Sequence, residues 1–359
     1  MRIFVKILTV ILSALVLLFF TACNNGSAVD LYYFNTLVHI ETHDKIMDAT
    51  TVDQIKATLT ELENTFDLKK ENSITYRFNQ ATNGQSFNLS NTEYKLFEKS
   101  YEYYQFTDHI FDPTVYPLIE LWQFSPSFPV LNFTPPAQNQ INDALQKVGL
   151  DKISIDGQSN TLTKNYSQTK IDFGGILKGY ASDEIARILK EKNHLSGYVN
   201  IGGSSLNLLS VDSLGIRHPR PNSNGEVLLT VNTKNKPNLS VSTSGDYERY
   251  YQFDNKIYSH IISPLNGLPT TTGVVSATVI CKDGAFSDAI TTALCLMEHS
   301  PSNPLQSKLT LFINKILNSL GDALIFAVYD NDNDKQIITN AIINQDFTLN
   351  DSQYQIIKL

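Results

Sequence analysis

The sequence predicts an α+β fold, in which mixed or antiparallel sheets pack against helices in one large domain. Apolar residues at helical spacing, Ile55, Leu59 and Leu62, predict an amphipathic helix over 52–66. The apolar, β-branched run over 274–281 predicts a buried strand. With 42% hydrophobic residues the chain is long enough for one core or two. No repeat, charge block or proline-rich linker divides it, so we expect one domain.

The N-terminus has the pattern of a secretory signal peptide. Arg2 and Lys6 precede a nearly uninterrupted apolar run over 7–20, and small residues then lead to Cys23. The Phe-Thr-Ala-Cys sequence at 20–23 looks like a lipobox, in which the cysteine is lipidated after cleavage. A simple N-terminal membrane anchor is the alternative.

These patterns divide the chain into three parts. We expect a signal peptide at 1–22, the lipidated cysteine and a tether at 23–30, and the folded domain at 31–359. With either kind of anchor, the domain lies at the cell membrane on the extracytoplasmic side.

The chain is acidic, with a formal net charge of -8 at pH 7. Removal of the signal peptide takes away two basic residues and no acidic ones, so the mature protein is more acidic still. An acidic surface argues against nucleic acid as a partner and against broad adhesion to anionic lipid. A nucleotide ligand would therefore need local help from glycines, helix ends or a metal ion.

A polar pair lies on the helix predicted to begin near residue 285. Asp288 and Thr292 are four residues apart, so their side chains lie one turn apart on the same helix face. A carboxylate and a hydroxyl are oxygen ligands suited to a hard divalent cation such as Mg²⁺. The alternative is a solvated polar stripe beside a helix cap, which this pair alone would favour.

Two predicted strands end in Gly-Gly. The first pair, Gly174 and Gly175, opens a helix, whose free backbone N–H groups favour phosphate oxygens. The second pair, Gly202 and Gly203, allows the close approach of a ligand or of another backbone. The spacing around the first pair excludes a Walker-type loop.

Five motifs in a fixed order resemble a known family. They are DFGGILKGY at 172–180, YVNIGGS at 198–204, TSGDYERYY at 243–251, HIISPLNGLP at 260–269 and SDAITTAL at 287–294. Together with FDPTVYPLIELW at 111–122, they resemble the FAD:protein FMN transferases of the ApbE family. The resemblance runs from about residue 34 to 297 and implies an ApbE-like, T-fold-like domain.

The resemblance implies Mg²⁺-dependent transfer of the FMN part of FAD to a threonine, or less often serine, hydroxyl of an exported acceptor protein, with release of AMP. Two alternatives stay open: a Mg²⁺-dependent FAD pyrophosphatase, and a non-catalytic flavin-binding lipoprotein. The expected partners are FAD, the acceptor protein and, through the lipid anchor, the membrane. The usual acceptor motif is absent from this chain, so self-flavinylation is not expected.

The resemblance also implies catalytic and metal-binding positions. His260 matches the family's general base, and an unperturbed histidine pKa suits proton transfer near neutral pH. Asp246 would hold the substrate or the histidine, with an Asp-stabilised turn as the alternative. The implied metal ligands are Asp288, Thr292 and the main-chain carbonyl of Leu177, where the family commonly has alanine.

Further positions are implied to contact the flavin nucleotide. They come from the segment at 72–79, from the proline-fixed loop at 112–117, from both Gly-Gly pairs and from the polar turn at 243–247. They are Tyr76, Asn79, Asp112, Thr114, Gly174, Gly175, Lys178, Gly202, Gly203, Ser244 and Gly245. Lys178 would meet the pyrophosphate, and a solvated helix lysine is its alternative.

The remaining segments complete the predicted order of elements. We expect a strand at 31–42, helices at 92–106 and 141–148, paired strands within 153–171, and strands at 215–217 and 227–231 in the sheet that holds 198–204. Beyond 297 we expect an extra helix or an inserted hairpin around 309–317, followed by closing edge strands over 323–359.

Overall fold

The computed structural model of the protein describes residues 26–125, 132–220, 226–331 and 333–359. The predicted signal peptide and Cys23 lie outside the described residues. Within these ranges helices cover one face of a large sheet, which confirms the predicted α+β class. No helix within them has both the length and the apolar character needed to cross a membrane.

The described residues form eight α-helices. They are α1 (Ala49–Phe66), α2 (Ile74–Gln80), α3 (Asn91–Phe106), α4 (Tyr116–Leu121), α5 (Gln138–Leu145), α6 (Leu177–Glu191), α7 (Gly284–Cys295) and α8 (Lys308–Leu320). The helices predicted at 52–66, 92–106 and 141–148 are confirmed within a few residues. The segment around 309–317 is a helix, which decides between the two structures expected there.

The large sheet has nine strands. Their spatial order is β1 (Ser27–Tyr33), β2 (Thr36–Thr42), β6 (Gly197–Ile201), β7 (Ser205–Ser210), β10 (Leu239–Gly245), β13 (Val274–Cys281), β14 (Leu324–Asp330), β15 (Lys335–Thr339) and β17 (Gln355–Lys358). Only the β15–β17 pair is parallel among these neighbours. The strand predicted over 274–281 is confirmed.

Three small sheets complete the described structure. One contains β3 (Ser86–Asn88), β5 (Thr161–Lys164) and β4 (Ile153–Asp156); another contains β16 (Phe347–Leu349), β9 (Val227–Asn232) and β8 (Ser213–Arg217); the third is the hairpin of β11 (Tyr250–Phe253) and β12 (Lys256–Ser259). Two short 3₁₀ helices lie at Leu150–Lys152 and Pro304–Gln306.

The large sheet buries apolar side chains on both faces. Its helix side holds the main core, with contributions from Val38, Leu59, Phe97, Ile185, Ala289 and Ile313. Its other face packs against the sheet of β8, β9 and β16 through Leu208, Leu214, Leu229, Phe326 and Phe347. A third cluster joins α4 and α5 to the β11–β12 hairpin. The large sheet is therefore a middle layer with the helices on one side.

Three predictions about strands were wrong. The segment at 31–42 is a hairpin, because Phe34 and Asn35 take φ of 55° and 58° and turn the chain between β1 and β2. The first strand begins at Ser27, within the segment expected to be a tether. Strands β8 and β9 leave the large sheet, because their apolar residues pack on its face instead of pairing with its edge.

The segment after 323 also differs from the edge strands expected there. Strand β14 lies between β13 and β15, and of the large-sheet strands after residue 323 only β17 is at an edge. Alternate residues of β14 bury into the two opposite cores, with Ile325 on the helix side and Phe326 on the other. A strand that is apolar on both faces belongs in the interior of a sheet.

Candidate active site

A cleft of about 720 Å³ opens where α6, α7, β10 and the loop at 111–115 meet. Its lining includes most of the residues predicted to form a site. They are Asp112, Gly174, Gly175, Leu177, Lys178, Gly202, Ser244, Gly245, His260, Asp288 and Thr292. Tyr76, Asn79, Thr114, Gly203 and Asp246 lie outside that lining.

The close contact of α6 with α7 fixes the position of Asp288. The backbone N–H of Gly179 donates to Asp288 Oδ2 at 3.0 Å. A Cβ on Gly179 would lie 2.0 Å from the carbonyl oxygen of Gly284, so only glycine permits this approach. The buried Asp288 carboxylate therefore lies beside the first turn of α6, which begins at Leu177.

Asp288 does not cap its helix. The N-cap of α7 is Asp283, whose side chain accepts a hydrogen bond from Phe286 N–H at 2.9 Å. Asp288 lies further along the helix and faces the cleft. The capping alternative for this residue was therefore wrong.

The Thr292 hydroxyl lies beside a second hydroxyl in the cleft. Its Oγ1 lies 3.4 Å from Ser244 Oγ, and Ser244 in turn donates to Thr291 Oγ1 at 2.9 Å. A Cβ on Gly175 would lie 3.4 Å from the Phe111 ring and 4.0 Å from Thr292 Oγ1. Glycine at position 175 thus keeps the space in front of Thr292 open.

The donor set formed by Leu177, Asp288 and Thr292 fits Mg²⁺ chemically. It consists of oxygen atoms, with a single carboxylate, and all three residues line the same cleft. Among the described residues no group of three or more His, Cys, Asp or Glu side chains could hold a metal ion. Mg²⁺ commonly binds through one or two carboxylates and completes its shell with water and substrate phosphate.

A lysine accompanies this carboxylate. Lys178 Nζ lies 3.7 Å from Asp288 Oδ2 and donates to the carbonyl of Gly174 at 3.2 Å. The ammonium group lines the cleft together with the carboxylate. It can therefore meet an anionic group that enters the cleft.

The β11–β12 hairpin positions His260. Tyr250 pairs with Ser259, so Arg249 and His260 face each other at the root of the hairpin. The Arg249 carbonyl oxygen lies 3.0 Å from His260 N and 3.1 Å from Nδ1. A carbonyl can only accept, so Nδ1 carries the hydrogen in the neutral ring and Nε2 is left as a proton acceptor.

The surroundings of His260 change its ionisation. Desolvation, together with the positive charges of Arg249 and Lys178, lowers the pKa of His260 to about 3. The expectation of an unperturbed pKa was therefore wrong, because the sequence does not reveal burial between two cations. The ring is neutral at neutral pH, as a proton acceptor must be.

Two acidic residues of the cleft are also perturbed. Burial raises the pKa of Asp112 to about 6, although Thr114 donates to its Oδ1 from both N–H (2.7 Å) and Oγ1 (2.6 Å). Thr114 therefore lies behind Asp112 and supports it. Burial also raises the pKa of Asp172, whose Oδ1 accepts from Gly174 N–H at 2.8 Å.

Asn79 and Asp246 make contacts away from the cleft lining. The Asn79 side chain exchanges two hydrogen bonds with the backbone of Ile171, at 2.7 and 2.9 Å. Asp246 forms a bidentate ion pair with Arg220, at 2.8 and 2.7 Å. Asn79 thus fixes the chain just before Asp172, and Asp246 is engaged by Arg220.

The sequence reasoning missed several cleft residues. Arg249 and Asp172 lie inside quoted motifs, but neither was given a role. Asp254 and Asn255 form the two-residue turn of the hairpin. Counting outward from this turn places Arg249 opposite His260, so the hairpin register is the signal that could have found the arginine. The turn at 34–36 also lines the cleft, and the prediction of a single strand over 31–42 does not reveal it.

Comparison with known proteins gives the family of this chain. Residues 34–310 match the model of the ApbE family. The chain belongs to the ApbE family. It is 29% identical over 254 residues to the FAD:protein FMN transferase of Vibrio cholerae, covering 70% of this chain and 75% of that protein. It is 30% identical to the Escherichia coli FAD:protein FMN transferase, covering 64% of this chain and 65% of that protein.

Solved structures of ApbE proteins share the fold. The ApbE protein of Thermotoga maritima superimposes with a TM-score of 0.73 at 27% identity, covering 85% of this chain and 94% of that one. The flavin transferase ApbE of Vibrio cholerae gives a TM-score of 0.74 at 23% identity, covering 88% and 96%. The second similarity is one of fold alone, and the two together confirm the predicted ApbE-like architecture.

Proposed function

We propose that this ApbE family member is an FAD:protein FMN transferase that moves FMN from FAD to a threonine, or less often serine, hydroxyl of an exported acceptor protein. The observation that carries this proposal is one cleft containing a neutral His260 with an acceptor Nε2 and an oxygen donor set around Asp288. Proton removal and charge neutralisation are the two requirements of phosphoryl transfer to a hydroxyl.

The reaction exchanges one phosphorus–oxygen bond for another. The acceptor hydroxyl oxygen bonds to the phosphorus of the FMN half, while the bond from that phosphorus to the bridging oxygen breaks. The bridging oxygen leaves with AMP. His260 Nε2 takes the hydroxyl proton, because its Nδ1 is already committed to the Arg249 carbonyl.

Asp288, Thr292 and the Leu177 carbonyl are the residues that would hold Mg²⁺, which when bound neutralises charge on the pyrophosphate oxygens. Lys178 adds a fixed positive charge on the same side of the cleft. A bound pyrophosphate would also offset the cations that depress the pKa of His260. Substrate binding is therefore expected to make this histidine a stronger base.

One experiment tests the activity. The full chain is incubated with FAD, Mg²⁺ and an exported protein carrying the usual acceptor motif, and flavin attached to the acceptor is measured by in-gel fluorescence and mass spectrometry. Covalent FMN with equimolar AMP is expected. Free FMN with AMP would point instead to the pyrophosphatase, and intact FAD to a flavin-binding protein.

A matched pair of variants connects the activity to the cleft. His260→Ala should abolish most of the transfer. His39→Ala, which changes a histidine of β2 outside the cleft lining, should leave it unchanged. Equal loss in both variants would contradict the role given to His260.

We also propose that Cys23 is lipidated and holds the domain at the extracytoplasmic face of the membrane. The support is the sequence pattern of the first 23 residues. Mass spectrometry of the N-terminal peptide from membranes should find a cleaved, acylated Cys23. An N-terminus that still carries the apolar run would show a simple membrane anchor instead.

A further inference from the structure

Two loops lie side by side at the end of the large sheet where β1 begins. Residues 43–48 follow β2, and residues 192–196 precede β6. Three hydrogen bonds join the loops: His43 N–H to Ser196 O at 2.9 Å, Leu195 N–H to Asp44 Oδ2 at 2.6 Å, and Lys45 Nζ to Lys192 O at 2.7 Å. The two loops therefore form one surface, which we name the sheet-end surface.

The sheet-end surface exposes two large aliphatic side chains. Ile46 is 70% exposed and Leu195 is 64% exposed. Single exposed apolar residues are common on protein surfaces. Here two of them lie on loops that are bonded to each other, so one surface of the domain carries both.

The start of the first strand lies against the same surface. Ser27 pairs with Thr42, and its Oγ accepts a hydrogen bond from Met47 N–H at 2.9 Å. Only Asn24, Asn25 and Gly26 separate Ser27 from Cys23. Four residue steps span at most about 14 Å, so a lipid on Cys23 would hold the bilayer within that distance of Ser27.

We propose that Ile46 and Leu195 contact the membrane and seat this end of the domain in the interfacial region of the bilayer. The proposal rests on the proposed lipidation of Cys23. The occupant of the surface is the lipid bilayer itself, because the short tether brings it there and both exposed side chains are aliphatic.

The charges around the two side chains do not favour one class of lipid. Lys45 and Lys192 are balanced by Asp44 and Asp48 on the same loops. Attraction to anionic headgroups is therefore weak, and insertion of apolar side chains carries the contact. Phosphatidylcholine vesicles should be as effective as vesicles with anionic lipid.

Contact between this surface and the membrane determines the distance of the active-site cleft from the bilayer. Strand β2 begins at Thr36, which lines the cleft, and ends at Thr42, beside the sheet-end surface. Seven residues in a strand span roughly 20 Å. The cleft therefore lies at the far end of β2 from the bilayer.

The test measures the depth of single residues. Ile46→Cys and Leu195→Cys are made in the full chain, with Leu37→Cys and Leu311→Cys as controls that are 40% and 60% exposed in the parent protein. The native Cys281 and Cys295 are buried, so a thiol-reactive fluorophore will label the introduced cysteine. Each lipidated protein is reconstituted into phosphatidylcholine vesicles that contain brominated lipid.

We expect brominated lipid to quench the fluorophore at positions 46 and 195 and to leave positions 37 and 311 unquenched. Equal quenching at all four positions, or quenching only at the controls, would overturn the proposal. Vesicle flotation of the parent protein tests the anchor separately, and failure to float would overturn both the anchor and this surface. The quenching measurement does not depend on flavin transfer. A failure of the proposed transferase activity can therefore be distinguished from a failure of the proposed membrane contact.

Discussion

The carbonyl oxygen of Arg249 lies 3.0 Å from the backbone nitrogen and 3.1 Å from Nδ1 of His260, so one acceptor orients both the chain and the ring. The contact fixes the tautomer and directs Nε2 away from Arg249. It depends on the backbone of residue 249, and substitution of the arginine side chain would preserve it.

The first prediction concerns the chemical step. His260→Gln should lower the single-turnover rate of flavin transfer on the order of a hundredfold or more, because a positioned general base contributes at least that much. FAD binding, followed by flavin fluorescence, should change little because the base acts only on the acceptor hydroxyl. A normal single-turnover rate would show that the histidine has only a structural role.

The second prediction concerns the dependence of stability on pH. The pKa of Asp112 is raised to about 6 in the folded protein, above the ordinary value of 3.8. Between those pH values the folded state therefore binds more protons than the unfolded state. The contribution of this carboxyl to the free energy of unfolding falls as the pH rises through that window. Asparagine does not titrate. Asp112→Asn should therefore reduce the fall in the free energy of unfolding across this pH window by roughly 1–3 kcal/mol.

Urea unfolding between pH 4 and pH 7 measures this slope. Asp143→Asn, at an exposed carboxyl of α5, is the matched control and should leave the slope unchanged. Asp183 is half-buried, and desolvation raises its pKa to about 6, so part of the decline should persist in the Asp112 variant. An unchanged slope in Asp112→Asn would contradict the assignment.

The third prediction uses the contact between α6 and α7. Glycine to alanine usually stabilises a helix by about 1 kcal/mol. Gly179→Ala should instead destabilise the protein by about 1–3 kcal/mol, because the new Cβ would lie 2.0 Å from the Gly284 carbonyl oxygen. A thermal melt gives the sign, and a raised melting temperature would refute the contact.

The sequence predicted the parts of the fold that depend on local pattern. Ile55, Leu59 and Leu62 identified α1, and the β-branched run identified β13. It could not separate β1 from β2, because the turn at Phe34-Asn35 lacks the usual glycine and is visible only in the backbone angles. Sheet membership of β8 and β9 also depends on which surface their apolar residues meet.

In the candidate site, too, the sequence predicted what local motifs determine and missed what long-range contacts determine. Motifs identified His260, Asp288 and Thr292, which line one cleft. The partners of Asn79 and Asp246 were beyond reach, because each is more than twenty residues away along the chain. The pKa of His260 was also beyond reach, since it depends on burial and on Arg249, which only the folded hairpin brings near.

The last prediction separates a metal ligand from a helix cap on the same helix. Asp288→Asn keeps an oxygen that can accept from Gly179 N–H but loses the negative charge. If Asp288 binds Mg²⁺ with Thr292, the variant should need a higher Mg²⁺ concentration for activity and should bind Mn²⁺ more weakly in a metal-binding titration, with little change in its thermal melt.

Asp283→Asn is a poor control because asparagine also caps helices, so Asp283→Ala is used. This variant loses the cap, seen as the hydrogen bond from Phe286 N–H, and also the 2.6 Å ion pair with Lys99 Nζ. The cap alone contributes roughly 0.5–2 kcal/mol of stability, and the Mg²⁺ titration should stay unshifted. Asp283→Ala is therefore expected to lower the melting temperature without shifting the Mg²⁺ curve. Asp288→Asn is expected to shift the Mg²⁺ curve with little change in melting. An unshifted Mg²⁺ curve for Asp288→Asn would remove this carboxylate from the metal site, because a charged ligand cannot be lost from an oxygen donor set without weakening its hold on a divalent cation.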